Sequence, residues 1–133
     1  MKNYELKLNE RQLRLINHAL EMYFRMQMGQ FFDYVDELAF TDFDWKNHDD
    51  TDFDIRCSKK WAGQKEFEKA YALTAPNGYL IQKSPDVQLA IDIWQTIRYN
   101  LWCEKPEPKL HDTVESNPPL NLSGEPLVQV EVK

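Results

Sequence analysis

The most chemically suggestive residues lie in the last predicted helix, where Arg98 stands among hydrophobic residues with Trp94 and Trp102 one turn away on either side. An arginine in such surroundings requires an anion, and a tryptophan face can stack on a nucleotide base. The pattern predicts a recessed site in which Arg98 holds a phosphate or a carboxylate. An internal salt bridge to Asp33 or Asp36, or a side chain that reaches water, explains the same pattern without a ligand.

A positively charged stripe is predicted on the first helix. Its polar positions follow one another at helical steps of three and four: Arg11, Arg14, His18, Glu21 and Arg25. The chain as a whole is acidic, with 16 Lys and Arg against 22 Asp and Glu, so this stripe could attract a small anion. The same pattern is typical of a solvated helix face. Gly29 follows and predicts a helix break whose backbone amides could bind a ligand.

Residues 41–54, TDFDWKNHDDTDFD, form an acidic segment with six aspartates, one lysine and three aromatic residues. Asp42 and Asp44 match the first two ligands of a calcium loop, but Lys46 and Phe53 occupy later ligand positions, so no metal site is predicted. Aspartates between aromatic residues could imitate nucleic-acid phosphates or dock on a basic partner. A solvated loop whose aromatic residues enter the core is the alternative.

Composition and motifs favour a binding protein over an enzyme. The sequence contains no GxSxG, HExxH, GxxxxGK[ST] or GxGxxG motif, and no nucleophile with an adjacent base can be assigned. No catalytic residue and no cofactor are therefore predicted. The net charge of −6 disfavours general nucleic-acid binding. No apolar run approaches the length of a membrane span, and the two cysteines lack metal-binding spacing, so we expect a cytoplasmic protein with reduced thiols.

The elements that must position these residues are mostly helical. Helices are predicted over about 10–28, 30–40, 51–75 and 85–102, with Asn9, Thr51 and Ser84 as N-caps. Short alternating segments at 4–8, 79–81 and 128–132 predict strands. Residues 104–126 hold five of the seven prolines and predict an extended connection before the last strand. The expected fold is α+β and mostly α: one domain, 1–133, of about four helices with a small antiparallel sheet joining the N- and C-terminal strands.

Three segments, LNERQLRLINHALEMYFRMQMGQF, FDWKNHDD and DVQLAIDIWQTIRYNLW, followed by EPL near the C-terminus, resemble a family of small phage and prophage proteins of Gram-positive bacteria. The residues that match its recurring pattern are Arg25, Met28, Gly29, Gln30, Phe31, Asn47, His48, Asp92, Trp94, Arg98 and Trp102. The resemblance implies an intracellular protein made during infection or from a prophage, with a role in host takeover or counter-defence. It implies no particular chemistry.

Two functions follow as expectations. The first is a non-enzymatic counter-defence protein that sequesters a nucleotide-derived immune signal. Its expected ligand-binding residues are Arg25, Gln30, Asn47, His48, Trp94, Arg98 and Trp102. Broadly apolar helices in a short chain also predict a homodimer or larger assembly. The alternative is an acidic inhibitor that occupies a host nuclease or regulator through residues 41–54.

Overall fold

The computed structural model describes residues 2–75 and 84–131, and these contain four α-helices. The helices are α1 (Glu10–Gln27), α2 (Phe32–Ala39), α3 (Asp50–Thr74) and α4 (Pro85–Cys103), with a 3-10 helix at Val114–Ser116. The chain divides into two compact units, Met1–Phe24 with Ile81–Lys133 and Arg25–Leu80. The expectation of four helices is confirmed, and the single domain stays a prediction beside this division into units.

The predicted antiparallel sheet is wrong for the part of the chain that the structure describes, because residues 4–8 and 128–131 lie in no strand. The third expected strand, 79–81, falls outside the described residues. Alternation at the N-terminus buries no face, since Tyr4 is 85% exposed. A lone two-stranded ribbon is marginal in water, and Val128 of the second segment is 37% exposed.

The helix ends follow from local capping. Asn9 and Gln12 exchange two hydrogen bonds of 2.9 Å, which is the predicted capping box of α1. Ser84 Oγ accepts a 3.4 Å bond from the Val87 N–H, and Pro85 occupies the first turn of α4. The predicted cap of α3 is wrong by two residues, because Asp49 and not Thr51 accepts the first-turn N–H. An aspartate carboxylate is the stronger acceptor for the positive end of the helix dipole.

The break between α1 and α2 occurs at Gly29, as the sequence predicts, with φ +76°. The amides of this turn are not free for a ligand, because the Met28 and Gln30 N–H groups both donate to the Arg25 carbonyl. The Tyr71 ring of α3 covers the turn, and a Cβ at position 29 would lie 2.9 Å from it. The turn therefore requires glycine both for its backbone angle and for the approach of the ring.

In the first unit, α4 is the central element. Its buried residues are Val87, Ala90, Ile91, Asp92, Gln95, Thr96, Ile97 and Leu101. The Phe24 ring meets the Trp94 ring edge-on at 5.1 Å. Helix α1 contributes Phe24 as its one buried residue, and its Leu15 is 68% exposed.

In the second unit, α2 packs on α3 through aromatic rings and a close backbone approach. Phe31 stacks on Phe67 with centroids 5.4 Å apart, and a Cβ at Gly63 would lie 3.2 Å from Val35. Trp61 of α3 is 55% exposed, whereas the neighbouring Lys60 side chain points inward and bonds Asp36. No helix in the described ranges combines the length and the apolar character that crossing a bilayer requires.

Candidate functional site

Arg98, the leading candidate for an anion site, is held by its own chain. Its guanidinium lies 4.5 Å from the Trp94 ring centroid and donates a 3.1 Å bond to the Asn117 carbonyl. Burial lowers the pKa of Arg98, and the carboxylates of Glu115 and Glu21 oppose that shift. The carboxylates that the sequence offers as internal partners have basic neighbours in their own unit: Asp33 lies 3.4 Å from Arg25 Nε, and Asp36 pairs with Lys60.

Trp102, the second tryptophan of the predicted site, also has internal partners. Its indole N–H donates to the Leu110 carbonyl at 2.9 Å. The Lys109 ammonium lies 4.3 Å from its ring centroid, and the His111 ring meets it edge-on at 5.2 Å. Residues of the predicted extended connection, 104–126, thus contact this indole at the end of α4.

The polar side chains of α4 bind the backbone of residues 117–123, which we call the strap. The Asp92 carboxylate accepts from the N–H groups of Leu122 and Ser123 at 2.9 and 2.8 Å, and from the Ser123 hydroxyl at 2.7 Å. Gln95 Oε1 accepts from the Leu120 N–H at 3.0 Å. Asp92 is only 2% exposed, so these bonds satisfy a charge that burial would otherwise penalise.

Arg25 and Gln30 lie together in the second unit, beside the break at Gly29. Arg25 Nη1 donates to Gln30 Oε1 at 3.1 Å, and Arg25 Nε lies 3.4 Å from the Asp33 carboxylate. The two residues predicted to bind a ligand thus contact each other. Asp33, which the sequence offers as a partner for Arg98, pairs with Arg25 instead.

Asn47 and His48 lie in the acidic segment and are organised by Asp44. The Asp44 carboxylate accepts from the Lys46 N–H at 2.9 Å and from the Asn47 N–H at 3.2 Å. These bonds hold the pKa of Asp44 below its ordinary range. The His48 ring nitrogen Nδ1 lies 3.1 Å from the Asp44 carbonyl oxygen. Asn47 and His48 therefore shape a turn around a carboxylate that stays ionised.

Five aromatic rings form a cluster at this segment, four from residues within it and one from Phe40 just before it. Its members, which we call the loop cluster, are Phe40, Phe43, Trp45, His48 and Phe53. Phe43 is at the centre, with ring centroids 5.2 Å from Phe40, 4.8 Å from Trp45 and 4.6 Å from His48. Phe43 is 7% exposed and Trp45 is 62% exposed, so the cluster has a buried interior and an open indole.

Arg56 of α3 holds the loop cluster in place through hydrogen bonds to the backbone and a contact with the Phe43 ring. Its Nη1 donates to the Ala39 carbonyl at 3.1 Å and to the Thr41 carbonyl at 2.8 Å, and its Nε lies 3.3 Å from Asp52. The guanidinium carbon is 5.1 Å from the centroid of the Phe43 ring. Arg56 is not among the residues predicted from the sequence. The available signal was its position four residues after Asp52, next to an aromatic-rich segment.

The remaining carboxylates of the segment point to solvent. Asp42, Asp50 and Asp54 are exposed, and Asp42 has a φ of 58°, a left-handed conformation that aspartate tolerates better than most residues. The acidic segment is therefore an ordered turn, with its aromatic side chains packed together and its negative charges outside. The described residues contain no group of three or more metal-ligating side chains.

The predicted ligand-binding residues fall into two sets, one in each unit. Trp94, Arg98 and Trp102 lie in the first unit, whereas the second unit holds Arg25, Gln30, Asn47 and His48. The described chain also has open surface hollows away from these residues. One is lined by Ser58, Trp61, Ala62, Gly63, Lys65 and Glu66, another by Asn9, Glu10, Arg11 and Arg14. Neither hollow is lined by a predicted ligand-binding residue.

Comparison with known proteins gives no relative to this chain. No protein-family model matches it, and neither a curated protein nor a solved structure matches it.

Proposed function

We propose that this is a non-enzymatic binding protein that occupies a basic surface on another protein through its acidic segment, residues 41–54. The observation that carries the proposal is the loop cluster, which holds an exposed Trp45 among outward-facing aspartates. A chain that needed this segment only as a connection would gain nothing from leaving an indole in water.

Preorganisation supports the proposal. The segment is fixed by the contacts of Phe43, by the backbone bonds to Arg56 and by the turn around Asp44. A loop that is already ordered loses little conformational entropy when it binds, so more of its contact energy appears as affinity. Tryptophan is among the residues most enriched at the energetic centres of protein interfaces.

Charge determines the class of partner. Six aspartates and one lysine give the segment a strongly negative field, which accelerates encounter with a positive surface. Aspartates that stand where phosphates would stand can compete with nucleic acid for the lysines and arginines of a nuclease or a regulator. A guanidinium or ammonium group of the partner could also rest on the open face of Trp45. The proposal that this inhibition serves counter-defence is supported by the resemblance of three sequence segments to phage and prophage proteins.

The test is a binding assay between the purified chain and individual nucleases and nucleic-acid-binding regulators of the bacterial host. Trp45→Ala and the double variant Asp50→Asn, Asp54→Asn are compared with Glu66→Gln, an exposed acid of α3 outside the segment. We expect each segment variant to weaken binding by at least about tenfold, and Glu66→Gln to leave it unchanged. Binding should also weaken as salt rises.

Equal affinity of the Trp45→Ala variant and the parent chain for such a partner would overturn the proposal. So would a failure of every nuclease and regulator tested to bind the parent chain, provided that the chain is folded in the assay. Inhibition of the partner's nucleic-acid binding is measured in the same samples, because the proposal requires that binding and inhibition be lost together.

Sequestration of a nucleotide-derived signal is the second candidate, and one observation favours it. Arg98 Nε is buried and has no hydrogen-bond partner among the described residues, while the guanidinium lies beside the Trp94 ring. This donor could bind an anion. Native mass spectrometry of the chain, purified from hosts with and without an active nucleotide-signalling defence, tests this directly. A passenger of roughly 300 to 700 Da, on the order of one or two nucleotides, that Arg98→Ala abolishes would favour sequestration.

A further inference from the structure

We propose that the polar face of α4 is a binding site for a peptide backbone, and that the strap of a second copy of this chain can occupy it by exchange. Residues 117–123 fill the site within one chain. In the exchanged form, each α4 would accept the same residues from its neighbour.

The site recognises main-chain atoms. Arg98 donates to the carbonyl of Asn117, and Gln95 accepts from the N–H of Leu120. Asp92 accepts from the N–H of Ser123. Positions on α4 and on the strap both advance in steps of three and run in opposite directions, so one register aligns all three contacts. Except for the Ser123 hydroxyl, no strap side chain takes part in these hydrogen bonds.

The docked strap satisfies the polar atoms that it covers. With the strap in place Asp92 is 2% exposed and Gln95 is 8% exposed, and both direct their oxygens at strap N–H groups. Buried polar groups in native proteins are almost always hydrogen-bonded, and a second strap would supply the same donors. A strap from another copy therefore competes with the chain's own strap and with water for the same site.

Exchange preserves the contacts between α4 and the strap. What changes is the connection, residues 104–116, which must reach a neighbouring molecule. The contacts of Leu110, Lys109 and His111 with Trp102 lie next to the end of α4 and can stay in place while the later part of the connection moves. The pair Lys105–Glu115 at 2.6 Å, whose side chains are 41% and 53% exposed, would break. A surface pair of this kind contributes little to stability. The chain's own strap prevails mainly through its effective concentration, which is on the order of millimolar for a short tether.

Complementation between two full-length variants tests the exchange. Leu122→Pro removes the backbone N–H that Asp92 accepts, so this chain keeps α4 intact and impairs its own strap. Asp92→Ala does the reverse. We expect a heterodimer in native mass spectra of the mixture, because the intact strap of one chain can dock on the intact α4 of the other. The matched control replaces the second chain by the double variant Asp92→Ala, Leu122→Pro, which should give no heterodimer.

A labelled peptide of residues 115–126 provides a second measurement, which also works if the variants are unstable alone. We expect it to bind the Leu122→Pro chain and raise its melting temperature. A peptide N-methylated at Leu122 should bind at least about tenfold more weakly, because one charge-assisted hydrogen bond is lost. Equal binding of the two peptides, or no binding at all, overturns the backbone site. A mixture of the two variants that stays monomeric overturns the exchange, whatever the peptide does.

Discussion

The polar face of α4 and the acidic segment 41–54 both place charged side chains next to tryptophans, yet they use them differently. In α4 the polar groups of Asp92, Gln95 and Arg98 bond the chain's own backbone. In the acidic segment, Arg56 of α3 donates to the Thr41 carbonyl and Asp44 accepts from the Lys46 N–H. Trp45 and several aspartates take no part in these bonds and face solvent. A residue type that suggests ligand binding is therefore informative only when its partners in the fold are known.

The two regions also differ in what stabilises them. The strap is held on α4 by a few hydrogen bonds, some of them to a buried carboxylate, and Leu120 of the strap is 63% exposed. The loop cluster is held by packed rings around Phe43. Loss of one acceptor should release the strap as a whole, whereas the loop cluster should lose stability in proportion to the ring area removed.

The largest effect should follow from Asp92→Ala. This change removes the acceptor for two backbone N–H groups and one hydroxyl, and we expect a loss of about 4 kcal/mol in the free energy of unfolding. Urea unfolding measures it, with Asp54→Ala as an exposed control that should change stability by less than about 0.5 kcal/mol. A similar result for both variants would show that the strap bonds contribute no stability.

Phe43→Ala should be the most damaging change in the loop cluster. The ring is 7% exposed and contacts three other rings of the cluster at 5.2 Å or less, so truncation should cost about 3 kcal/mol. Trp45→Ala removes a larger ring from a 62% exposed position and should cost less than about 1 kcal/mol. Thermal unfolding of both variants gives the order. If Trp45→Ala is the more destabilising, the indole is a structural element and the binding proposal loses its support.

The two arginines allow a direct comparison between the regions. Arg56 donates to two carbonyls and pairs with Asp52, so Arg56→Ala should cost about 2 kcal/mol. Arg98 donates to one carbonyl and stacks on Trp94, and Arg98→Ala should cost about 1 kcal/mol. Equilibrium unfolding in urea measures both losses. A larger loss for Arg98→Ala would reverse the ranking and show that the pairing of Arg98 with the strap outweighs the fastening of the loop cluster.

The smallest effect should be a pH dependence centred on Asp44. Its folded pKa lies below the unfolded value, because backbone N–H groups of Lys46 and Asn47 donate to the carboxylate. Its stabilising contribution is therefore complete above the ordinary aspartate pKa and disappears as pH falls through the folded pKa. We expect the stability difference between the parent chain and Asp44→Asn to shrink on acidification, measured as urea midpoints from neutral pH downward. A difference that stays constant into the acid range would contradict this assignment.

Helix positions could be predicted because their signals are local. The capping box of Asn9 and Gln12, the cap at Ser84 and the break at Gly29 depend on residues a few positions apart, and the structure forms all of them. The strands could not be predicted from alternation, because a strand exists only when another strand accepts its backbone bonds. Residues 4–8 and 128–131 alternate but lie in no strand. Distant partners are equally invisible in the sequence elsewhere: the N–H groups of Leu122 and Ser123 meet Asp92, some 30 positions earlier in the chain.

The candidate site was predictable in composition and less so in geometry. An acidic segment interrupted by aromatic residues is visible in the sequence, as is an arginine between two tryptophans. Which aromatic ring is buried and which is open is a tertiary outcome. Phe43 is enclosed because Arg56 approaches from α3, and Trp45 is left outside. In α3 the same holds for Trp61, which is 55% exposed, and for the neighbouring Lys60, whose ammonium bonds Asp36.

By itself the sequence determined four helices, the caps at Asn9 and Ser84, the turn at Gly29 and an acidic, aromatic segment, since capping, backbone freedom and charge density act over a few residues. Only the tertiary structure decided which polar side chains bond to the chain itself and which face solvent. Hydrogen-bond partners are chosen by proximity in space, and an internal partner removes a charged group from the set available to a ligand. That choice bound Asp92 and Arg98 to the strap and left the aspartates around Trp45 facing solvent.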